Sequence, residues 1–417
     1  MRPQNQIPRQ KSPIPMATSL PPPRHGPHPP PELPEDVMRE ILLRVPADDP
    51  ASLVRAAAAC KSWRGMVSDP EFAPAYRLLG GAPPMLGFLY DDRRKYWISH
   101  FLPTATSPPL AARDLEHWHA LDSRHGLALF YAPRSDAHFV VCDLVTGERW
   151  EIRADPKCYD IMWSNLLSDR RLLENDEISC NASVLCAKDE CDHLDCHGGP
   201  FLVALVGHDV EGHRYMNYAA VYSSVTREWS EVTSVEQVHT INGTGHSAVV
   251  GNSVYVPCVE DDSVVVYNTR DKELSVIKVP LEEQQPYLDL MGLEDGMLLF
   301  ASVLKPRLYL WSMEAGPRGA AGWARRRVIE LGPLLPLPVL EDKLDVSAVG
   351  FAEGVGVIFM KTRAGLYKIE LESGKSDQVH GGCIDKVMPY MSFYTGAWGP
   401  LKASDEASRT VAGATTI

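Results

Sequence analysis

The run Leu185–Gly199, LCAKDECDHLDCHGG, concentrates the side chains best suited to chemistry. Cys186, Cys191, His193, Cys196 and His197 fall within twelve positions, with Cys180 just upstream. Thiolate and imidazole are the preferred ligands of Zn²⁺, and four of them close a tetrahedral site. Cys186, Cys191, His193 and Cys196 are therefore the candidate ligands of a structural zinc, the one cofactor for which the sequence offers a ligand set. The spacing is not the paired C-x2-C form. A loop of small buried Cys with turn-forming Asp, Gly and His is the competing reading.

Catalytic patterns are weak beside this cluster. The sequence holds no G-x-S-x-G elbow, P-loop, dinucleotide fingerprint or H-E-x-x-H helix. His246 and Ser247 adjoin in GTGHS, but neighbours in a strand point to opposite faces and make a poor base–nucleophile pair. Asp261-Asp262 and Glu282-Glu283 read as solvated loop acids. Arg325-Arg326-Arg327 reads as a strand edge, or as a reader of acidic peptide. The expectation is a chain that performs no catalysis.

Composition narrows the setting. A formal charge of −13 over 417 residues argues against a groove that tracks phosphates. The longest apolar runs, Gly296–Leu304 and Leu331–Leu340, fall short of a bilayer span. Neither nucleic acid nor membrane is an expected partner. Nine cysteines, an odd number without a secretory signal, suit reduced thiols in the cytoplasm or nucleus. Residues 1–31 are dominated by Pro, which lacks the N–H of helix and sheet, and read as a disordered arm. Residues 399–417 are small and polar and read as a flexible tail.

The elements that must position these residues fall into two patterns. Residues 32–78 are helical in character. Val37, Met38, Ile41, Leu42 and Val45 recur at helical spacing until Pro46. Asp49 and Pro50 then supply an N-cap and a first-turn proline. A third segment carries Trp63, Met66 and Val67 before Asp69-Pro70. Three short helices cannot bury every stripe among themselves, so the unit must dock against something else.

The string LPEDVMREILLRVPADDPASLVRAAAACKSWRGMVSDPEF resembles an F-box, in particular those of the large plant F-box family. The matching positions are Leu33-Pro34, Ile41-Leu42, Val45-Pro46, Leu53-Val54, Cys60-Lys61, Trp63-Arg64 and Asp69-Pro70. The resemblance implies docking onto a Skp-type adaptor, which joins a cullin scaffold. Leu33, Pro34, Ile41, Leu42, Leu53, Val54 and Trp63 are the residues expected to make that contact. The alternative is a helical cap whose stripes are all used internally.

Residues 83–398 switch to short β runs. FVVCDLVTGERWEI (139–152) and AAVYSSVTREWSEV (219–232) echo each other as strand, turn, strand. The segments 263–277, 307–329 and 365–379 repeat the plan. A Gly-led strand precedes most of these hairpins. Gly126 to Cys142 and Gly251 to Tyr267 span 16 positions, and Gly296 to Trp311 and Gly354 to Ile369 span 15. A unit recurring at kelch-like period, unable to cover both its faces alone, predicts radial stacking. The expected fold is α+β and multidomain: a small three-helix F-box, then a mostly antiparallel, kelch-like β-propeller of about six blades. An irregular β-sandwich is the alternative, and residues 155–198 fit no unit and read as an insertion.

Together these readings predict a substrate-recognition subunit of a Skp–cullin–F-box ubiquitin ligase. Its partners would be the adaptor, the cullin through the adaptor, and an unidentified protein target held on the propeller loops. The rivals are a propeller-type enzyme or carbohydrate-binding protein with a helical cap, and an F-box protein acting with the adaptor alone.

Overall fold

The computed structural model describes residues 33–393, apart from 93–97, 105–114, 116–117, 133–138, 155–179, 189–190, 192, 194–195, 197–198, 212–213, 237–238, 244, 260–261, 280–289, 295, 305, 316–320 and 337–345. The Pro-rich arm, the tail, Asp261, Glu282-Glu283 and His197 lie outside the described residues.

Four helices come first, one more than the sequence reading foresaw: α1 (Glu35–Leu43), α2 (Pro50–Ala59), α3 (Lys61–Val67) and α4 (Phe72–Gly80). Glu35 and Asp36 sit in the first turn of α1, where the helix dipole favours acids. Asp49 caps α2 by accepting the Ser52 N–H at 3.3 Å, with Pro50 at the first turn. The Cys60 sulfur caps α3 by accepting from the Trp63 N–H at 3.4 Å. The fourth helix forms because Phe72 and Tyr76 stand four apart on one face and both are fully buried.

The strands follow. β1 (Met85–Asp92) and β2 (Ile98–Pro103) pair antiparallel and begin a sheet that the chain completes only much later. One blade then runs β3 (His119–Arg124), β4 (Leu127–Tyr131), β5 (Phe139–Cys142) and β6 (Arg149–Ile152). The next runs β7 (Cys180–Cys186), β8 (Phe201–Glu211), β9 (Arg214–Ser223) and β10 (Glu228–Trp229), with β11 (Thr233–Val235) also on β9. A further blade holds β12 (Ala248–Val250), β13 (Ser253–Pro257), β14 (Ser263–Asn268) and β15 (Glu273–Lys278). Then come β16 (Leu290–Glu294), β17 (Met297–Leu304), β18 (Arg307–Ala315) and β19 (Ala321–Glu330), and β20 (Ser347–Ala352), β21 (Val357–Thr362), β22 (Gly365–Glu370) and β23 (Ser376–His380). The last strand, β24 (Val387–Met391), pairs with β1 to complete the opening sheet in the order β2-β1-β24. The fold is a six-bladed antiparallel β-propeller preceded by a helical module.

Strand β14 shows why this sequence stacks radially. Val265 and Tyr267 pack into the cluster shared with β8 and β9, whereas Val264 and Val266 pack into the cluster holding Leu298 and Phe300 of β17. Side chains alternate across a strand, so an unbroken apolar run needs a neighbour on each face. The repeated glycines explain the fixed 15–16 spacing. Gly126, Gly251 and Gly296 turn from the first to the second strand of their blades with φ of 77°, 57° and 73°, in the left-handed region. The repeated tryptophans clamp blade to blade. Trp229 Nε1–H donates to the Arg153 carbonyl at 2.8 Å, and Trp323 Nε1–H to the Lys278 carbonyl at 2.9 Å.

One expectation about the propeller is corrected. Residues 180–186, assigned to the 155–198 insertion, form β7 and pair with β8 along their whole length. The run CNASVLC hides its strand character because Asn181 and Ser183 alternate with Ala182 and Val184, yet both polar side chains are buried. What remains of the insertion is two separate connections, β6 to β7 and β7 to β8.

Closure of the ring also fastens the helices. The Tyr390 hydroxyl donates to the Gly126 carbonyl at 2.6 Å and accepts from the Leu144 N–H at 3.0 Å, joining β24 to the blade of β3. Two residues beyond β24, Phe393 enters the helical core with Leu42, Leu53, Met66, Val67, Phe72 and Tyr76. Its ring stands edge-on to Tyr76 at 6.2 Å. Phe393→Ala is expected to cost about 3–5 kcal/mol, the usual penalty for emptying an aromatic site. In hydrogen exchange the helices should lose protection while β12–β15 keep theirs. Equal loss in both would show that the helices do not depend on this anchor.

Candidate docking face and metal centre

The single stripe expected on α1 divides in two. Met38, Leu42 and Val45 turn inward to the helical core. Val37 and Ile41, four apart on α1, remain 40% and 50% exposed, and Leu33, just ahead of the helix, remains 51% exposed. Pro34 carries the lead residue in extended form, with φ −55° and ψ 147°. Two apolar side chains on the open face of α1, with a third on the extended lead just before it, form a ready docking ridge.

Other expected contact residues sit differently. Leu42 and Leu53 are 2% and 1% exposed and belong to the module's own core, so the apolar area assigned to them is turned inward. The cause is α4, which the sequence reading lacked and which closes over this side. Trp63 is half-buried, its Nε1–H on Met38 Sδ at 3.2 Å, and it positions α1 from behind. The Val54 side chain lies outside the described residues. Leu78 and Leu79 on α4 are strongly exposed and were missed altogether. Their signal was the amphipathic run FAPAYRLLG, obscured by the preceding Asp69-Pro70.

The expected metal ligands converge. The donor atoms of Cys186, Cys191, His193 and Cys196 all lie within 4.8 Å of one another. Cys191 Sγ and Cys196 Sγ are 3.6 Å apart, and Cys196 Sγ is 3.7 Å from His193 Nδ1. Cys186 closes β7, and its sulfur accepts the Lys188 N–H at 3.4 Å. Cys196 is buried, which raises its thiol pKa, as do the neighbouring Cys186 and Cys191. His193, at φ 60°, lays its ring against His125 of the β3–β4 turn, centroids 4.0 Å apart.

A polar network crosses the propeller axis. Arg124, at the end of β3, donates from Nε to Asp122 at 3.1 Å, from Nη1 to Glu353 at 3.2 Å and from Nη2 to the Ser247 carbonyl. Asp122 also accepts the Val184 N–H at 2.9 Å. Arg124 and Asp122 thus together tie the blades of β3, β7, β12 and β20. Burial opposes its charge, but Asp122 and Glu353 outweigh that and raise the Arg124 pKa. Burial raises the Glu353 pKa against the pull of Arg124.

His246 and Ser247, just ahead of β12, find separate partners. Ser247 Oγ bonds Ser183 Oγ at 2.6 Å, while His246 Nε2–H donates to the Val349 carbonyl at 2.8 Å. Burial lowers the His246 pKa to about 3, with Lys386 and Arg124 adding to the effect. The folded pKa lies below the ordinary 6.5, so the unfolded chain takes up a proton that the folded state refuses. Stability from this residue is therefore full above pH 6.5 and lost as pH falls toward 3. In urea titrations the slope of stability against pH in that window should be smaller in His246→Asn than in wild type, by up to ~1.4 kcal/mol per pH unit. An identical slope in both proteins would assign it elsewhere.

The three arginines of β19 are each engaged. Arg325 lies over Trp311 at 5.9 Å, Arg326 Nε donates to Ser312 at 3.0 Å, and Arg327 Nη1 donates to the Leu371 carbonyl at 2.7 Å. A register shift opposite Leu310/Trp311 splays them apart. They brace the outer strand rather than converge on one ligand.

Residues 31–72 match the model of the F-box-like family. No curated protein matches the chain by sequence. Among solved structures, a chain of the mitotic checkpoint complex is similar at 9% identity and TM-score 0.33, with 63% of each chain covered. The β-propeller domain of Cps50 (Swd1) from Myceliophteria thermophila is similar at 15% identity and TM-score 0.29, covering 44% of this chain and 54% of that one. The dihydro-heme d1 dehydrogenase NirN is similar at 16% and 0.31, covering 75% and 55%. The chain thus spans less than two thirds of the length of each of these structures. The helices carry an F-box-like region, and the propeller is defined by the strand pairing itself.

Proposed function

We propose that this chain is the substrate-recognition subunit of a Skp–cullin–F-box ubiquitin ligase. The observation that carries the reading is the exposed ridge Leu33, Val37 and Ile41 on the helices matched by the F-box-like family. An apolar ridge of this kind suits the hydrophobic cleft of a Skp-type adaptor, and the adaptor brings the cullin. The kelch-like repeat period and the likeness of residues 33–72 to plant F-boxes support the same reading.

The propeller then acts as the platform for a protein target, held on its inter-strand loops. Catalysis is proximity: target lysines gain effective concentration beside the charged ubiquitin carrier, and no residue of this chain forms or breaks a covalent bond. Cytoplasm or nucleus is the setting in which such a ligase works. Among the described residues no helix is long and apolar enough to cross a membrane.

Affinity capture with the full chain from cell extract tests this. Adaptor and cullin are expected together. Adaptor without cullin would place the chain in a complex outside any ligase, and recovery of neither would overturn the proposal.

A further inference from the structure

We propose that Cys186, Cys191, His193 and Cys196 bind one Zn²⁺ as a closed site of three thiolates and one imidazole that fastens the β7–β8 connection. The inference does not rest on the ligase reading.

Convergence is the first argument. A tetrahedron with Zn–S of about 2.3 Å and Zn–N of about 2.0–2.1 Å has S···S edges of ~3.8 Å and S···N edges of ~3.6 Å. The Cys191–Cys196 and Cys196–His193 separations are 3.6 and 3.7 Å, and no pair of donors exceeds 4.8 Å. Small side-chain adjustments bring all four to one centre. Chance seldom gathers four such donors from positions spread between the end of one strand and the start of the next.

Donor chemistry selects the ion. Three sulfurs and an imidazole suit zinc, and they exclude the hard cations, which require oxygen. Four protein ligands fill a tetrahedron and leave no open position, so the site is structural. The Lys188 N–H pointing at Cys186 Sγ is the contact that steadies a bound thiolate. Binding converts three thiols to thiolates, releasing three protons to solvent and leaving the zinc with its four ligands at one net negative charge.

The architecture supplies the reason for such a device. The first two strands of a blade are joined by two residues at β3–β4 and at β12–β13, but by residues 187–200 at β7–β8. That connection has little apolar material of its own, holding three Asp and two Gly in its fourteen residues. A metal replaces the missing core. It also holds His193 against His125, so the loop is referred to the neighbouring blade's turn.

The competing chemistry is a disulfide between Cys191 and Cys196, and the test separates the two. Full-length protein purified with reductant and added zinc should contain about one zinc per chain by mass spectrometry of metals, as a closed four-ligand site requires. Cobalt(II) substitution should give thiolate charge-transfer bands and the intense visible bands of a tetrahedral site of three sulfurs and one nitrogen. The Cys191→Ser/Cys196→Ser variant should lose the metal and the bands while the β-sheet circular dichroism of the propeller persists. In wild type the three thiols should resist a thiol reagent until a chelator is added, a readout that needs no variant to fold. Folded protein without stoichiometric metal, metal retained in the double variant, or a Cys191–Cys196 disulfide under non-reducing digestion would each overturn the site. Adaptor capture should be the same with and without the metal, which keeps this result separate from the ligase proposal.

Discussion

Replacing Leu33, Val37 and Ile41 together by alanine is expected to weaken capture of a Skp-type adaptor at least ~100-fold without changing the melting temperature. Each of these side chains is about half exposed, so docking covers the remaining half. Full burial of such a side chain is worth ~1.5–3 kcal/mol, so three halves come to about 3 kcal/mol, or roughly a hundredfold in affinity. The folded module loses little, because its core is built from the opposite face of α1. Leu42→Ala should behave in the opposite way. Leu42 is buried, so its truncation costs ~2–5 kcal/mol of stability and lowers capture only by loosening the helices. Thermal melting and adaptor affinity measured side by side separate the two. If the triple variant binds as wild type does, the ridge is not the docking face, and α4 with Leu78 and Leu79 becomes the next surface to test.

Arg124→Leu is expected to destabilise the propeller by about 3–5 kcal/mol, the penalty for breaking a buried ion pair from one side. Arg124 and Asp122 are both about 10% exposed, and removal of the guanidinium strands two carboxylates near the axis. Arg124→Lys should recover only part of the loss, because an ammonium cannot reproduce the fork that reaches Asp122, Glu353 and the Ser247 carbonyl at once. The removal of Glu353 as well, by Glu353→Gln, should return some stability to Arg124→Leu, because fewer charges are then left unpaired. Urea denaturation of wild type, these three variants and Glu353→Gln alone measures the coupling. A cost below about 1 kcal/mol for Arg124→Leu would mean that solvent screens the network as it does a surface pair.

The two predictions draw on features of very different visibility. The F-box region is legible because its signal is local: helix periodicity, Asp49-Pro50 as a start signal, and Pro46 and Asp69-Pro70 as stops all act within a few residues. The four clustered donors Cys186, Cys191, His193 and Cys196 were nameable for the same reason, as they fall inside one short stretch. Which face of α1 stays open was not legible. Val37 and Met38 look alike in sequence, and only the arrival of α4 and Phe393 decides that Met38 turns inward and Val37 outward.

In the propeller the division falls by strand. The second, third and fourth strands of the blades repeat visibly, since apolar runs such as SVVVYN are buried on both faces and the turns demand Gly. Innermost strands are harder to read: CNASVLC buries polar as well as apolar side chains, and AVV is only three residues long. Arg124 and Glu353 meet there although 229 positions separate them in the chain. The sequence alone determined the first three helices, the repeating blade and the cluster of Cys and His donors, for these follow from periodicity and from nearby residues. Only the tertiary structure decided the inner strands, the axial network and the bond between β24, Phe393 and the helices. Those contacts exist only when the ring closes, and no local preference encodes the closure of a ring.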